Sequence, residues 1–325
     1  MAKLDELPPE IVEIIVRVDF DPTASPKFRY RDLKSFSRIT PSFQSPSQRV
    51  LSERVLLSTA MAAAAWIESG SRLYVTRELE FRSNGSTWSG GIRTVAVQGA
   101  IRACRPGLEK LAVLIVNPLL NTVFEEPNLK GERAVDARRR RLTTSIADIK
   151  YLTLESSVVN PPNVSWNPSF TGLTDLTIAL GSIAERLDTS AFDVILRTNR
   201  IQSLTLTHLY DRALRQVTSQ IDSIGPHLKT LQLRAGTRIG RPQQVLRPPP
   251  TLFARCAVLQ TLEIPSEYSD LYSMLLRLPN PSLRDLKIST LLRDTEVESI
   301  LALPSMGGLK QFEWRWFGVV GSVQR

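Results

Sequence analysis

Residues Ile149–Leu154 read IKYLTL, and the same order of residue types returns as LTDLTI at Leu173, IQSLTL at Ile201 and LKTLQL at Leu228. It continues as LQTLEI at Leu259, LRDLKI at Leu283 and LKQFEW at Leu309. Two weaker copies precede these, TRELEF at Thr76 and LEKLAV at Leu108. The copies start 32, 41, 24, 28, 27, 31, 24 and 26 residues apart. A period of that size, held through most of the chain, marks stacked structural repeats.

Elementary geometry explains the pattern. The fourth and sixth positions alternate as one face of a short strand, and the first lies in the approach to it. A strand this short cannot bury its apolar face alone, so neighbouring copies must stack. Between the strands lie helix-like stretches. Ala213–Ile224 places Leu214, Val217, Ile221 and Ile224 at helical spacing. Leu271–Leu278 is a second, and Thr295–Leu303 a third, with Thr295 and Glu298 at the spacing of a capping box. Gly225-Pro226, Pro279, Pro281, Pro304 and Gly307-Gly308 punctuate the joints.

Strand, turn, helix and turn in this order resemble a leucine-rich repeat solenoid of the irregular kind. The asparagine of the regular repeat is absent after the second leucine of most copies. The expected fold is α/β, with stacked short parallel strands and helices on the convex side. The array would occupy residues 61–325, with an insertion at about 117–146 that lengthens one spacing to 41 residues. An ordinary α/β domain is the alternative. Its central strands are buried on both faces and read as continuous apolar runs, whereas these show one apolar and one polar face.

Residues 1–60 lack the repeat. Leu7-Pro8-Pro9-Glu10 opens a helix with proline in its first turn, where a missing N–H costs nothing. Ile11, Ile14, Ile15 and Val18 follow at i, i+3, i+4 and i+7. A polar stretch leads to Leu33, Phe36, Ile39 and Phe43, and then to SPSQRVLSERVLL from Ser45. There Ser45, Pro46 and Gln48 have the spacing of a helix N-terminus with a capping box. Three helices this short bury little core, so the segment needs a neighbour or partner.

LPPEIVEII, DLKSFSRITPSF and SQRVL, taken together, resemble an F-box motif over about Leu4–Leu57. An F-box segment followed by irregular leucine-rich repeats resembles the F-box proteins abundant in mushroom-forming fungi. That resemblance implies a non-catalytic substrate receptor of a cullin-type multi-subunit ubiquitin ligase. It implies that Leu7, Pro8, Glu10, Ile11, Ile14 and Ile15 face the adaptor subunit, with Ile39 and Phe43 extending the contact. The repeats would hold a target protein. The other reading makes the N-terminal helices a cap on an interaction scaffold with no ligase role, since any solenoid needs its end covered.

Chemistry is sparse. His208 and His227 are far apart and flanked by leucines, and Cys104 and Cys256 form no spaced set. Two histidines and two cysteines supply no zinc site of the usual kind. Neither phosphate-cradling glycine motif is present. We therefore expect no enzyme, no cofactor and no metal. The longest small apolar run, Ala60–Ile67, is far short of the roughly 20 residues that span a bilayer. With no signal-like N-terminus, the sequence reads as cytoplasmic, nuclear or both.

The net charge is +9, made of +1 in residues 1–60, +4 in 61–160 and +4 in 161–325. Arg138–Arg141 is the one tight cluster, a solvated loop, an import signal or a nucleic-acid contact. The residues alternating with the buried leucines hold seven acids and five bases, so that face does not account for the charge. This argues against nucleic acid there, which needs a coherent positive surface. Arg234, Glu263, Lys287, Glu313 and Arg315 on it are the expected target contacts, with charge giving selectivity. Trp314 and Trp316 alternate inward by the same count.

Overall fold

The computed structural model describes residues 7–18, 35, 38, 41–69, 75–82, 94–104, 106–114, 146–154, 170–179, 190–236, 245–249, 251–279, 282–316 and 319–324. The chain forms two compact units, residues 1–113 with 129–149, and residues 114–128 with 150–325. The expected insertion at 117–146 falls almost wholly outside the described residues, as do Arg138–Arg141 and Ile39.

The first unit begins with α1 (Pro9–Val18) and α2 (Pro41–Glu53), followed by β1 (Arg54–Leu57) and α3 (Ala60–Ser69). Then come β2 (Glu78–Arg82), α4 (Thr94–Ala103) and β3 (Lys110–Leu114). Strands β1, β2 and β3 are neighbours in that order. Parallel pairing sets Val55 beside Leu79 and Leu57 beside Phe81, all four buried. The Arg77 carbonyl accepts the N–H groups of both Glu109 and Lys110, at 2.8 and 2.9 Å. Helices α3 and α4 pack together.

Two expectations change here. The helix read as starting at Ser45 begins at Pro41 and runs through Pro46, although Pro46 has no N–H to donate to Ser42. Its last four expected residues, RVLL, are strand β1. Val55 and Leu57 alternate with Arg54 and Leu56, and a parallel partner on β2 outweighs local helix propensity. Thus a tenth strand-forming copy starts at Arg54, inside the stretch assigned from sequence to helices.

In the second unit the order is β4 (Tyr151–Leu154), β5 (Asp175–Ala179), α5 (Ser190–Thr198), β6 (Ser203–Leu209) and α6 (Asp211–Ile224). It continues with β7 (Thr230–Ala235), β8 (Thr261–Ile264), α7 (Tyr268–Leu275), β9 (Asp285–Leu291) and α8 (Asp294–Leu301). Strands β10 (Gln311–Trp316) and β11 (Val319–Gln324) close the unit. Strands β4 to β10 pair in parallel and in sequence order, and β11 lies antiparallel on β10. A doubly wound sheet reverses its strand order at a switch point; this one does not. The result is an α/β arrangement with a mostly parallel sheet in sequence order, compatible with stacked repeats.

The register stacks the motif on itself. Leu152, Leu176, Leu204, Leu231, Leu262, Leu286 and Phe312 stand side by side in one row. None of them is more than 1% exposed. The first-position residues Ile149, Leu173, Ile201, Leu228, Leu259, Leu283 and Leu309 are buried too. Consecutive turns are tied by a repeated device. The carbonyl at the second motif position accepts two N–H groups from the next copy. Lys150, Thr174, Gln202, Lys229, Gln260 and Arg284 all do this, at 2.7–3.0 Å. Every polar backbone group so paired avoids a burial penalty.

The helices shift slightly from expectation. Leu214, Val217, Ile221 and Ile224 of α6 are buried. Helix α7 lies three residues earlier than its expected span. At α8 the cap is made by Glu296, whose carboxylate accepts the Arg293 N–H at 2.8 Å, and not by Glu298. Helices α5 and α6, and α7 and α8, pack as neighbours.

Candidate functional site

In the first unit, α1 packs on α2 through Val12, Val16, Phe43 and Val50, none more than 3% exposed. Leu7, Ile15 and Leu51 pack against this cluster, half-buried. Glu13 and Arg49 bridge the two helices at 2.9 Å. The Pro8 carbonyl accepts the Ile11 and Val12 N–H groups, so the helix starts as Leu-Pro-Pro predicts. Ile11 and Ile14 are left 43% and 54% exposed, beside exposed Pro8 and Glu10.

The expected single face of Ile11, Ile14 and Ile15 is therefore split. Successive helical residues turn by about 100°, and the i, i+4 pair Val12 and Val16 takes the core. Ile15 flanks that pair, while Ile11 and Ile14 look outward. Phe43 was expected to touch a partner. At 1% exposure it is instead core that holds α1 in place.

In the second unit the polar sides of the strands form a second surface. Thr153, Thr177, Thr205, Gln232, Glu263, Lys287 and Glu313 stand in register as one row. Its charges are mutually engaged. Arg234 reaches Glu263 at 3.2 Å and also Gln232, and Lys287 reaches Glu313 at 3.4 Å. Four of the five expected target contacts thus pair among themselves. The Arg315 side chain lies outside the described ones. In the adjoining row, Tyr151 is 45% exposed. Beside it the Asp175 carboxylate accepts the Thr174 hydroxyl.

Sequence reasoning passed over one group. Lys150, Lys229, Arg284 and Lys310 occupy the second motif position, and Arg200 lies just before another copy. All five are exposed. The quoted motifs carried the signal, in the K or R following the first apolar residue of IKYLTL, LKTLQL, LRDLKI and LKQFEW.

Both thiols are buried. Burial pushes Cys104 up to about 12, against a weaker lowering by Thr76. Burial also pushes Cys256 up to about 12, with the Asp222 carboxylate adding to the rise. At neutral pH both are protonated, and the thiolate is the nucleophile. His208 and His227 are exposed. His208 sits at a bulge of β6 with φ of 55°, a left-handed conformation rare for a side-chain-bearing residue. Among the described residues no group of His, Cys, Asp and Glu could hold a metal ion. Among them, too, no helix is long and apolar enough to cross a membrane.

No protein-family model matches the chain, and no curated protein is significantly similar to it.

Proposed function

We propose that this protein is a non-catalytic substrate receptor of a cullin-type multi-subunit ubiquitin ligase. Helix α1 would dock the adaptor subunit, and the polar strand face of the second unit would hold a target protein. The target would be modified because it is kept near a separately bound ubiquitin-carrying enzyme, a proximity effect. One observation carries the reading. Helix α1 buries Val12 and Val16 yet leaves Ile11 and Ile14 exposed, next to the Leu7-Pro8-Pro9-Glu10 start that resembles the F-box. An amphipathic helix that has already buried one face has no intramolecular need for two further exposed isoleucines.

Capture by purified adaptor tests it. The wild-type chain should bind, and Ile11→Asp with Ile14→Asp should abolish binding while leaving the melting temperature unchanged. A wild type that never binds, or a double variant that binds as well, ends the proposal.

The second reading, an interaction scaffold whose N-terminal helices are a cap, is favoured by a different observation. Helix α2 runs directly into β1, which pairs with β2. Removing residues 1–53 would then lower the melting temperature of the remaining chain. Under the receptor reading it would chiefly remove adaptor capture.

A further inference from the structure

Five exposed cations of the second unit lie along the rim where the strands begin. Lys150, Arg200, Lys229, Arg284 and Lys310 are exposed there. None forms an ion pair with a described carboxylate, in contrast to Arg234 and Lys287 on the strand face. The first two motif positions of β4 to β10 hold no Asp or Glu, and at the place just before the motif, where Arg200 stands, the one acid is Asp148, which accepts the Gly107 N–H. The backbone holds these residues in line, because the second-position carbonyls from Lys150 to Arg284 each bind the next turn through two hydrogen bonds. Neighbouring strands are about 4.8 Å apart, so Lys150 and Lys310 lie about 29 Å apart across six strand steps. Cations held in line without a described carboxylate partner form a positive strip, which attracts an anionic partner.

We propose that this rim binds an extended acidic segment of a partner protein. An extended chain rises about 3.3 Å per residue, so about nine residues would cover the row. Two observations favour a peptide over nucleic acid. The residues immediately after Thr174 and Arg284 are Asp175 and Asp285, which accept hydroxyls from Thr174 and Thr261 and no described cation. A phosphodiester, charged at every step, would meet both carboxylates, whereas a peptide can place neutral residues opposite them. Also, along these motif starts from β4 to β10 Tyr151 is the single exposed Phe, Tyr or Trp among the described residues, too few for successive bases to stack on. The inference is independent of adaptor docking, which concerns α1 in the other unit.

Fluorescence polarisation on the full chain tests it. The probe is a labelled peptide of about ten residues alternating Glu and Gly, compared with its Gln counterpart and with oligouridylate of equal charge. Wild type should bind the Glu peptide alone, and more weakly as salt rises. Lys150→Gln, Lys229→Gln, Arg284→Gln and Lys310→Gln combined should weaken binding about tenfold or more. Arg212→Gln with Arg215→Gln, on exposed α6 positions, should leave it unchanged. If the fourfold variant unfolds, Lys229→Gln with Arg284→Gln serves, with a smaller loss expected. Three results overturn the assignment: no preference for the Glu peptide, equal binding by a folded rim variant, or tighter binding of the oligouridylate.

Discussion

The indole of Trp314 lies over Gly321, its register partner across β10 and β11. A Cβ atom at residue 321 would come within 2.7 Å of Trp314 Cε2 and Cζ2. Phe312 stacks beside the same indole, with ring centroids 5.0 Å apart. Phe312 therefore limits how far the ring can shift along the strand. Gly321→Ala should lower stability by about 1–3 kcal/mol, the usual cost of overpacking. A urea denaturation curve with tryptophan fluorescence checks this, and an unchanged midpoint would show that the hairpin yields.

The leucine row should carry far more stability than the polar row beside it. Leu204 is fully buried between Leu176 and Leu231. Leu204→Ala should cost about 2–5 kcal/mol, through lost burial and a cavity. Thr177, on the opposite face, should tolerate alanine within about 0.5 kcal/mol. Equal losses in chemical denaturation would contradict the one-sided burial.

In the N-terminal helix pair, Val12 and Ile14 are both β-branched and apolar, but Val12 is buried and Ile14 is 54% exposed. Val12→Asp should open the α1–α2 contact, because a buried carboxylate has no partner in the Val16, Phe43 and Val50 cluster. Ile14→Asp should leave it intact. Hydrogen exchange of the α1 amides distinguishes the two, with loss of protection expected only for Val12→Asp.

Alkaline pH should destabilise the protein. Both thiols are raised from an ordinary value of 9.0 to about 12 by burial. The folded state thus keeps its protons where the unfolded chain has released them. The stability they contribute is full below pH 9 and is lost progressively as pH rises toward 12. At one pH unit above the unfolded value, each thiol should cost about 1 kcal/mol. Denaturation midpoints of wild type and Cys256→Ala, compared at neutral and alkaline pH, should converge as pH rises. Parallel curves would refute the assignment.

Much of the fold was legible because its signal is local and repeated. The period-two alternation of LTDLTI or IQSLTL states which side chains turn inward, and each first-position residue is buried as the pattern requires. Where a local signal had two readings, the sequence misled. Ser45-Pro46-x-Gln48 has a helix-start pattern, yet the helix already begins at Pro41. Thr295 and Glu298 have capping spacing, yet Glu296 makes the bond. Arg54–Leu57 follows helix-forming residues, and only its pairing with Glu78–Phe81 makes it a strand. The α1 site was half legible. Helical periodicity marked Ile11, Ile14 and Ile15 as apolar, but which of its flanks meets Phe43 is a property of packing.

By itself the sequence determined that short one-sided strands must stack, since none can bury its leucines alone. It also determined that the inward face is apolar and the outward face mixed in charge. The tertiary structure decided what depends on partners distant in the chain. It set the register that pairs Arg234 with Glu263 and Lys287 with Glu313, leaving Lys229, Arg284 and Lys310 on the rim without a described carboxylate partner. It also chose Val12 and Val16, not Ile11 and Ile14, to face α2. Periodicity ranks residues by type, whereas burial and charge pairing depend on distances between residues that only the folded chain brings together.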